Sequence, residues 1–342
     1  MKKRLSILLI LTLLLTGCSL PAVKAEQKQY TATFLTLFDT VTTIVGRSDS
    51  EEAFFEKARG VHDQLLEYHQ LFDIYHSYEG VHNLKEVNDN AGISPVEVDQ
   101  RIIDLLIECK QIYEDTNGKV NIAMGSVLGL WHEARDFGRN NPQDSYLPDA
   151  GKLAAASEHM DMDMLIIDEE ASTVFLKDES MSLDVGAIAK GWSVQKVSEV
   201  APKGLLISVG GNVCATGPKD ENGTPWVVGV QDPDDTQKYL HTLYLSGGSV
   251  VTSGDYQRTY MVDGKLYHHI IDPQTLYPAE NYRAVTVICP DSGLADALST
   301  ALFLMSMEEG LKLLEKFDSE AIWIGSEGTI SYSPGFEKYI RK

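Results

Sequence analysis

Residues 182–192 read SLDVGAIAKGW, an aspartate, two glycines and a lysine held between two apolar runs. Upstream, STVFLKDESM (172–181) reads as a short strand and its exit. Downstream, WSVQKVSEVAP (192–202) carries Trp192, Val194, Val197 and Val200 at helical spacing. The stretch is a strand-to-helix turn, where backbone N–H groups and a helix N-terminus can face an anion. Taken alone, it is an ordinary turn with a surface lysine.

Working outward, the short apolar runs from residue 164 onward are MLIIDEE, TVFLK, LLISVGG, PWVVGVQDP, LYLSGGSVVTSG, TYMVDGKLYHHIID and AVTVICP, separated by Gly, Pro, Asp and Asn. Their short connections predict a mainly antiparallel sheet. SGLADALSTALFLMSMEEGLKLLEKF (292–317) is strongly helical, and a strand pair around AIWIGSEGTISYS closes the chain. In the first half, YTATFLTLFDTVTTIVG (30–46) reads as a strand pair or one long strand. Residues 50–71 and 97–116 have helical spacing, 133–150 read as a loop, and PDAGKLAAASEHM (148–160) as a further helix. The expected class is α+β: one compact domain with helices packed on a mainly antiparallel sheet.

At the N-terminus, Lys2, Lys3 and Arg4 precede LSILLILTLLLTG, too short for a comfortable transmembrane helix and flanked like a secretion signal. It ends at LLTGCS, with small residues directly before Cys18. The expected organisation is a lipoprotein signal peptide at 1–17, lipidation at Cys18, a polar tether at 18–29 and the domain at 30–342. Losing Lys2, Lys3 and Arg4, with no acidic residue in the leader, takes the formal charge from −21 to about −24. Such a surface repels nucleic acid and anionic lipid, so neither is an expected partner, and the membrane is met through the lipid anchor alone. Cys109, Cys214 and Cys289 are odd in number and lack CxxC spacing, against a disulfide framework or zinc site.

Asp296 and Thr300 in LADALSTALF stand four apart on a helix, so their oxygens share a face. A carboxylate and a hydroxyl there suit a hard cation such as Mg²⁺; plain helix solvation is the alternative. In LYHHIIDPQT, His268 and His269 enter a strand from opposite sides, so one is expected to be exposed and the other to be an acid–base candidate. LLISVGGNVCATG and VVTSGDYQR each place glycine after an apolar strand. Neither matches GxGxxG or GxxxxGK[ST], which excludes Rossmann and P-loop readings on spacing.

LFDTVTTI, KVNIAMGSVLGLW, SLDVGAIAKGW, ISVGGNVCATG, VVTSGDYQR, HHIIDP and LADALSTALF together resemble the ApbE family, the FAD:protein FMN transferases, in the family's order over about residues 35–306. The resemblance implies Mg²⁺ held by the Ala187 carbonyl, Asp296 and Thr300. It implies FAD against Phe38, Tyr75, a 119–121 strand (Lys119, Val120, Asn121), Asp184, Lys190 and the HHIID strand, with His269 and Ile271. The turn at 182–192 then serves pyrophosphate and metal without a Walker motif. Three features depart from the family's usual pattern: Asn121 stands where aspartate is frequent, Leu276 where glycine is usual, and Phe38 and Tyr75 where methionine and tryptophan also occur.

The implied reaction moves the FMN half of FAD to a threonine hydroxyl of an acceptor protein, releasing AMP. His269 is the first candidate for the threonine's proton and Asp255 the second, with Lys190 assisting at the phosphates. The implied acceptors belong to membrane-linked or extracytoplasmic electron transfer, so the implied location is the extracytoplasmic face of the cell membrane. Two other readings use the same residues: a Mg²⁺-dependent FAD pyrophosphatase, and a flavin-binding lipoprotein without chemistry.

Overall fold

A computed structural model describes residues 27–342; the expected signal peptide and Cys18 lie outside them. In chain order the strands are β1 (Lys28–Leu37), β2 (Thr40–Ser48), β3 (Val96–Glu97), β4 (Leu165–Asp168), β5 (Thr173–Leu176), β6 (Leu205–Val209), β7 (Asn212–Ala215), β8 (Trp226–Gln231), β9 (Tyr239–Leu245), β10 (Gly248–Gly254), β11 (Tyr260–Val262), β12 (Lys265–Tyr267), β13 (Tyr282–Cys289), β14 (Glu320–Gly325) and β15 (Ile330–Tyr332). The α-helices are α1 (Glu51–Phe72), α2 (Leu84–Asp89), α3 (Gln100–Asp115), α4 (Gly125–Asn140), α5 (Ala150–Ser157), α6 (Ala189–Val200), α7 (Ser292–Leu304) and α8 (Met307–Leu314).

Eight strands form one sheet in the order β1-β2-β6-β7-β10-β13-β14-β15, and every strand pair in it is antiparallel. Side chains alternate across this sheet. Ile44, Ile207, Val209 and Cys214 face α1 and α6 in one core. Val45, Leu206, Val213 and Val250 face the β8–β9 ribbon on the other side. The largest core joins α3, α6, α7 and α8 to β10, β13 and β14. This is the expected α+β domain.

Residues 30–46 are a strand pair, turned at Phe38 and Asp39, both with φ of 52°. Two central residues of positive φ match the twist of a two-residue hairpin. β1 starts at Lys28, so the last two residues of the expected tether are strand. Residues 133–150 are not simply a loop: α4 runs through to Asn140. Its start has no side-chain cap, and Gly125, Gly129 and Gly138 dilute its helical signal. Residues 119–121 are irregular rather than strand, and β12 ends at Tyr267, before the two histidines. Cys109, Cys214 and Cys289 are free and buried.

Candidate active site

The turn at 182–192 is shaped by two helices that cross almost in contact. A Cβ on Gly191 would lie 2.2 Å from the Ser292 carbonyl oxygen and 2.5 Å from Asp296 Cβ, so only glycine lets α6 and α7 meet there. The Gly191 N–H, which would otherwise close a helical turn on the Ala187 carbonyl, donates to Asp296 Oδ2 at 2.9 Å. That leaves the Ala187 oxygen outside the helical ladder. Lys190 Nζ lies 3.0 Å from the Gly186 carbonyl oxygen and 3.4 Å from Asp296 Oδ2. Asp184 anchors the turn, its Oδ1 accepting the Gly186 N–H at 2.8 Å.

These groups open onto a cavity of about 920 Å³, within the range of small-molecule sites. Phe38, Tyr75, Lys119, Val120, Asn121, Asp184, Ala187, Lys190, His269, Ile271, Asp296 and Thr300 all line it. Asp255 does not. Its Oδ2 accepts from Arg283 Nε at 2.7 Å, and Arg283 in turn holds Asp234 at 2.7 Å. Asp255 is thus placed in an ion-pair network beside the cavity rather than on its wall.

Asp296 is buried on α7, and burial raises its pKa against the opposing charge of Lys190 and the Gly191 hydrogen bond. Thr300, one turn on, has its hydroxyl 3.4 Å from Ser253 Oγ. Carboxylate, hydroxyl and free carbonyl make an all-oxygen donor set, and a buried carboxylate gains most from a cation beside it. Among the described residues no three His, Cys, Asp or Glu side chains converge as a metal cluster. The donor set therefore fits a hard cation that keeps water or phosphate ligands, and not zinc.

His268 and His269 are both partly buried, so neither is the exposed histidine expected of the pair, and both border a small recess beside Trp131 and Arg258. His268 Nδ1 accepts the Ile270 N–H at 3.2 Å and Nε2 donates to the Ala279 carbonyl at 2.7 Å, beside the Phe303 ring. His269 Nδ1 donates to the Gln257 carbonyl at 3.2 Å, which leaves Nε2 as the unprotonated nitrogen. Burial, then the neighbouring Arg258, His268 and Lys190, push its pKa down to about 3. It is a neutral acceptor at physiological pH.

Several candidates are already engaged. Lys119 bonds Asp272 at 3.1 Å, and the Asn121 amide spans Met160 and Ala123. Leu276 takes φ of 64°, the conformation that suits glycine. Its side chain packs with the cluster around Met124 and Trp131, which offsets a strain of about 1–2 kcal/mol.

Sequence reasoning missed two histidines on the cavity wall. His132 Nδ1 is 2.8 Å from Tyr75 Oη and its Nε2 3.9 Å from Asp184. His69 Nδ1 accepts the Phe38 N–H at 3.3 Å and so holds the β1–β2 turn over the cavity. Recognising α4 as a helix would have placed His132 one turn beyond Leu128, on the same face. His69 lay in the α1 pattern without any local signal of its partner.

The family model described as "ApbE family" matches residues 38–323. A Klebsiella pneumoniae protein named FAD:protein FMN transferase is 32% identical over 277 residues, covering 77% of this chain and 83% of its own. A Treponema pallidum protein of the same name is 33% identical, covering 75% of each. The crystal structure of the ApbE protein from Thermotoga maritima superposes with a TM-score of 0.80 at 29% identity, over 92% of this chain and 100% of that one. The flavin transferase ApbE from Vibrio cholerae, at 22% identity over 92% of this chain and 99% of that one, has the same fold with a TM-score of 0.75.

Proposed function

The chain belongs to the ApbE family, and from that premise we propose that it transfers the FMN half of FAD to a threonine hydroxyl of an acceptor protein in a Mg²⁺-dependent reaction. One observation carries the reading. Asp296, Thr300, the free Ala187 carbonyl, Lys190 and His269 share the wall of a single cavity.

The threonine oxygen forms a bond to the FMN-side phosphorus, the bond from that phosphorus to the bridging oxygen breaks, and AMP leaves with that oxygen. Such a transfer needs charge neutralisation and alignment more than covalent help from the enzyme. Asp296, Thr300 and the Ala187 carbonyl would hold Mg²⁺, which supplies positive charge beside the pyrophosphate. Lys190 adds a second positive charge from the turn. His269 Nε2 is the acceptor for the threonine proton, its ring fixed by the Gln257 carbonyl. Phe38 and Tyr75 offer aromatic faces to the flavin or the adenine, while Lys119, Val120, Asn121, Asp184 and Ile271 complete the FAD wall.

The proposal extends to location. Residues 1–17 would be removed as a signal peptide and Cys18 lipidated, fixing the enzyme on the extracytoplasmic side of the cell membrane. Its acceptors would then be proteins of membrane-linked electron transfer. Incubation with FAD, Mg²⁺ and such proteins, followed by intact-mass measurement, tests the reaction. A threonine-bearing acceptor should gain one FMN. Free FMN without an adduct would mark a pyrophosphatase, and unchanged FAD a carrier.

A further inference from the structure

One run of hydrogen bonds behind the cavity wall joins its two aromatic faces. Phe38 stands at the β1–β2 turn and Tyr75 on the loop that follows α1, and both line the cavity. The Phe38 N–H donates to His69 Nδ1 at 3.3 Å. The proton of the neutral ring is therefore on Nε2, which donates to Tyr78 Oη at 3.4 Å. Tyr78 donates in turn to Asp73 Oδ2 at 2.7 Å. Asp73 Oδ1 then accepts the Tyr75 N–H at 2.7 Å and the His76 N–H at 3.1 Å. The series runs without a gap from the backbone of one aromatic face to the backbone of the other. The rings of Phe38, His69 and Tyr78 also pack edge to face in sequence, with centroids 5.4 and 6.2 Å apart. Asp73 is 7% exposed at the end of α1, where the two N–H bonds to Oδ1 already shape the turn. Its other oxygen serves Tyr78 and the exposed His76 ring. Burial would raise the Asp73 carboxyl, but the hydrogen bonds from Tyr78, Tyr75 and His76 hold it below its ordinary value. Burial likewise keeps His69 below its own. Asp73 is thus a carboxylate and His69 a neutral ring, the forms this series requires. Tyr78 stands behind the cavity wall, its backbone fixed by a bridge to Val81 around Gly80, which takes φ of 75°.

We propose that Tyr78 is a positioning residue for FAD, which through His69 and Asp73 sets Phe38 and Tyr75 as one unit. The inference rests on the reading of this cavity as the FAD site. Core packing fixes neither face fully: Tyr75 is 51% exposed, and Phe38 sits partly buried at a hairpin tip. Stacking depends on how a ring is turned, and a face set in advance costs less ordering when a ligand settles on it. Without the Tyr78 hydroxyl, His69 would lose its acceptor and Asp73 a donor, and the two faces would be anchored separately.

The test uses the full chain and FAD, with binding read from flavin fluorescence. Tyr78→Phe keeps the ring and removes the hydroxyl. It should raise the FAD Kd about tenfold, as the loss of a hydrogen bond to a carboxylate does. The visible circular dichroism of the bound flavin should weaken with it, because the rings around the flavin are less fixed. His69→Phe keeps a ring in place, cuts the next link and should weaken FAD binding to a similar extent. In a chain already carrying Phe38→Leu and Tyr75→Leu, adding Tyr78→Phe should change Kd by less than about twofold, since nothing is left to position. A general loosening of the fold would add its full cost there. Wild-type FAD affinity in both Tyr78→Phe and His69→Phe overturns the proposal. So does a loss of the same size that persists in the chain lacking both aromatic faces. If the wild-type chain binds no FAD, the reading of the cavity itself falls, and the proposal with it.

Discussion

Asp296 serves two neighbours at once, accepting the Gly191 N–H and facing Lys190. Asp296→Asn keeps an acceptor for Gly191 and removes only the charge. It should lower transfer at limiting Mg²⁺ by about a hundredfold or more, whereas Thr300→Ala should lower it less, since the hydroxyl brings no charge. Initial rates across a Mg²⁺ titration check this, and full activity of the Asn variant would break the assignment. For His269, burial and the neighbouring Arg258, His268 and Lys190 hold the folded pKa near 3, below the unfolded value of about 6.5. The folded protein therefore loses stability as pH falls from about 6.5 toward 3. FAD's pyrophosphate offsets Lys190 and Arg258, so the acid limb of kcat should lie at higher pH than that of kcat/KM. Coincident limbs in the two profiles would argue against His269 as the proton acceptor. Residue identities at this site were legible because the turn, the Asp296–Thr300 pair and the histidines each sit in compact stretches. The ion pair of Asp255 with Arg283, 28 residues apart, has no such local signature.

At the scale of elements, the site depends on the close crossing of α6 and α7 and on two neighbouring hairpins. Gly191→Ala forces a methyl against the Ser292 carbonyl and Asp296. It should destabilise the protein by about 1–3 kcal/mol, as overpacking does, and weaken FAD use through the displaced carboxylate. Thermal unfolding and FAD titration measure the two effects, and an unchanged Tm would show that the helices can separate freely. The β1–β2 turn at Phe38 and the β6–β7 turn at Gly210 and Gly211 touch, with the Gly210 N–H donating to the Val41 carbonyl at 3.0 Å. Strands and long amphipathic helices were legible from their periods. α4 was obscured by its glycines and uncapped start, and residues 268–271 looked like strand because apolar residues there line a cavity instead of a sheet, whereas the strand expected at 119–121 came from the family resemblance alone.

At the scale of the whole molecule, the sequence pattern conveyed class but not topology. Pairing of β2 with β6 joins segments some 160 residues apart, and nothing local in either strand specifies that partner. The same scale governs placement in the cell. Cys18→Ala should release the chain from the membrane fraction or leave it unprocessed, which fractionation and intact mass resolve; wild-type processing and sedimentation of that variant would remove the anchor. The central claim is transfer of FMN from FAD onto protein, with AMP as the other product. Its most direct measurement is paired quantitation of AMP released and acceptor-bound FMN in one reaction. The account predicts one AMP for each FMN on an acceptor threonine, both dependent on Mg²⁺ and both lost in Asp296→Asn. AMP accompanied by free FMN, with no flavin on the acceptor, would contradict it.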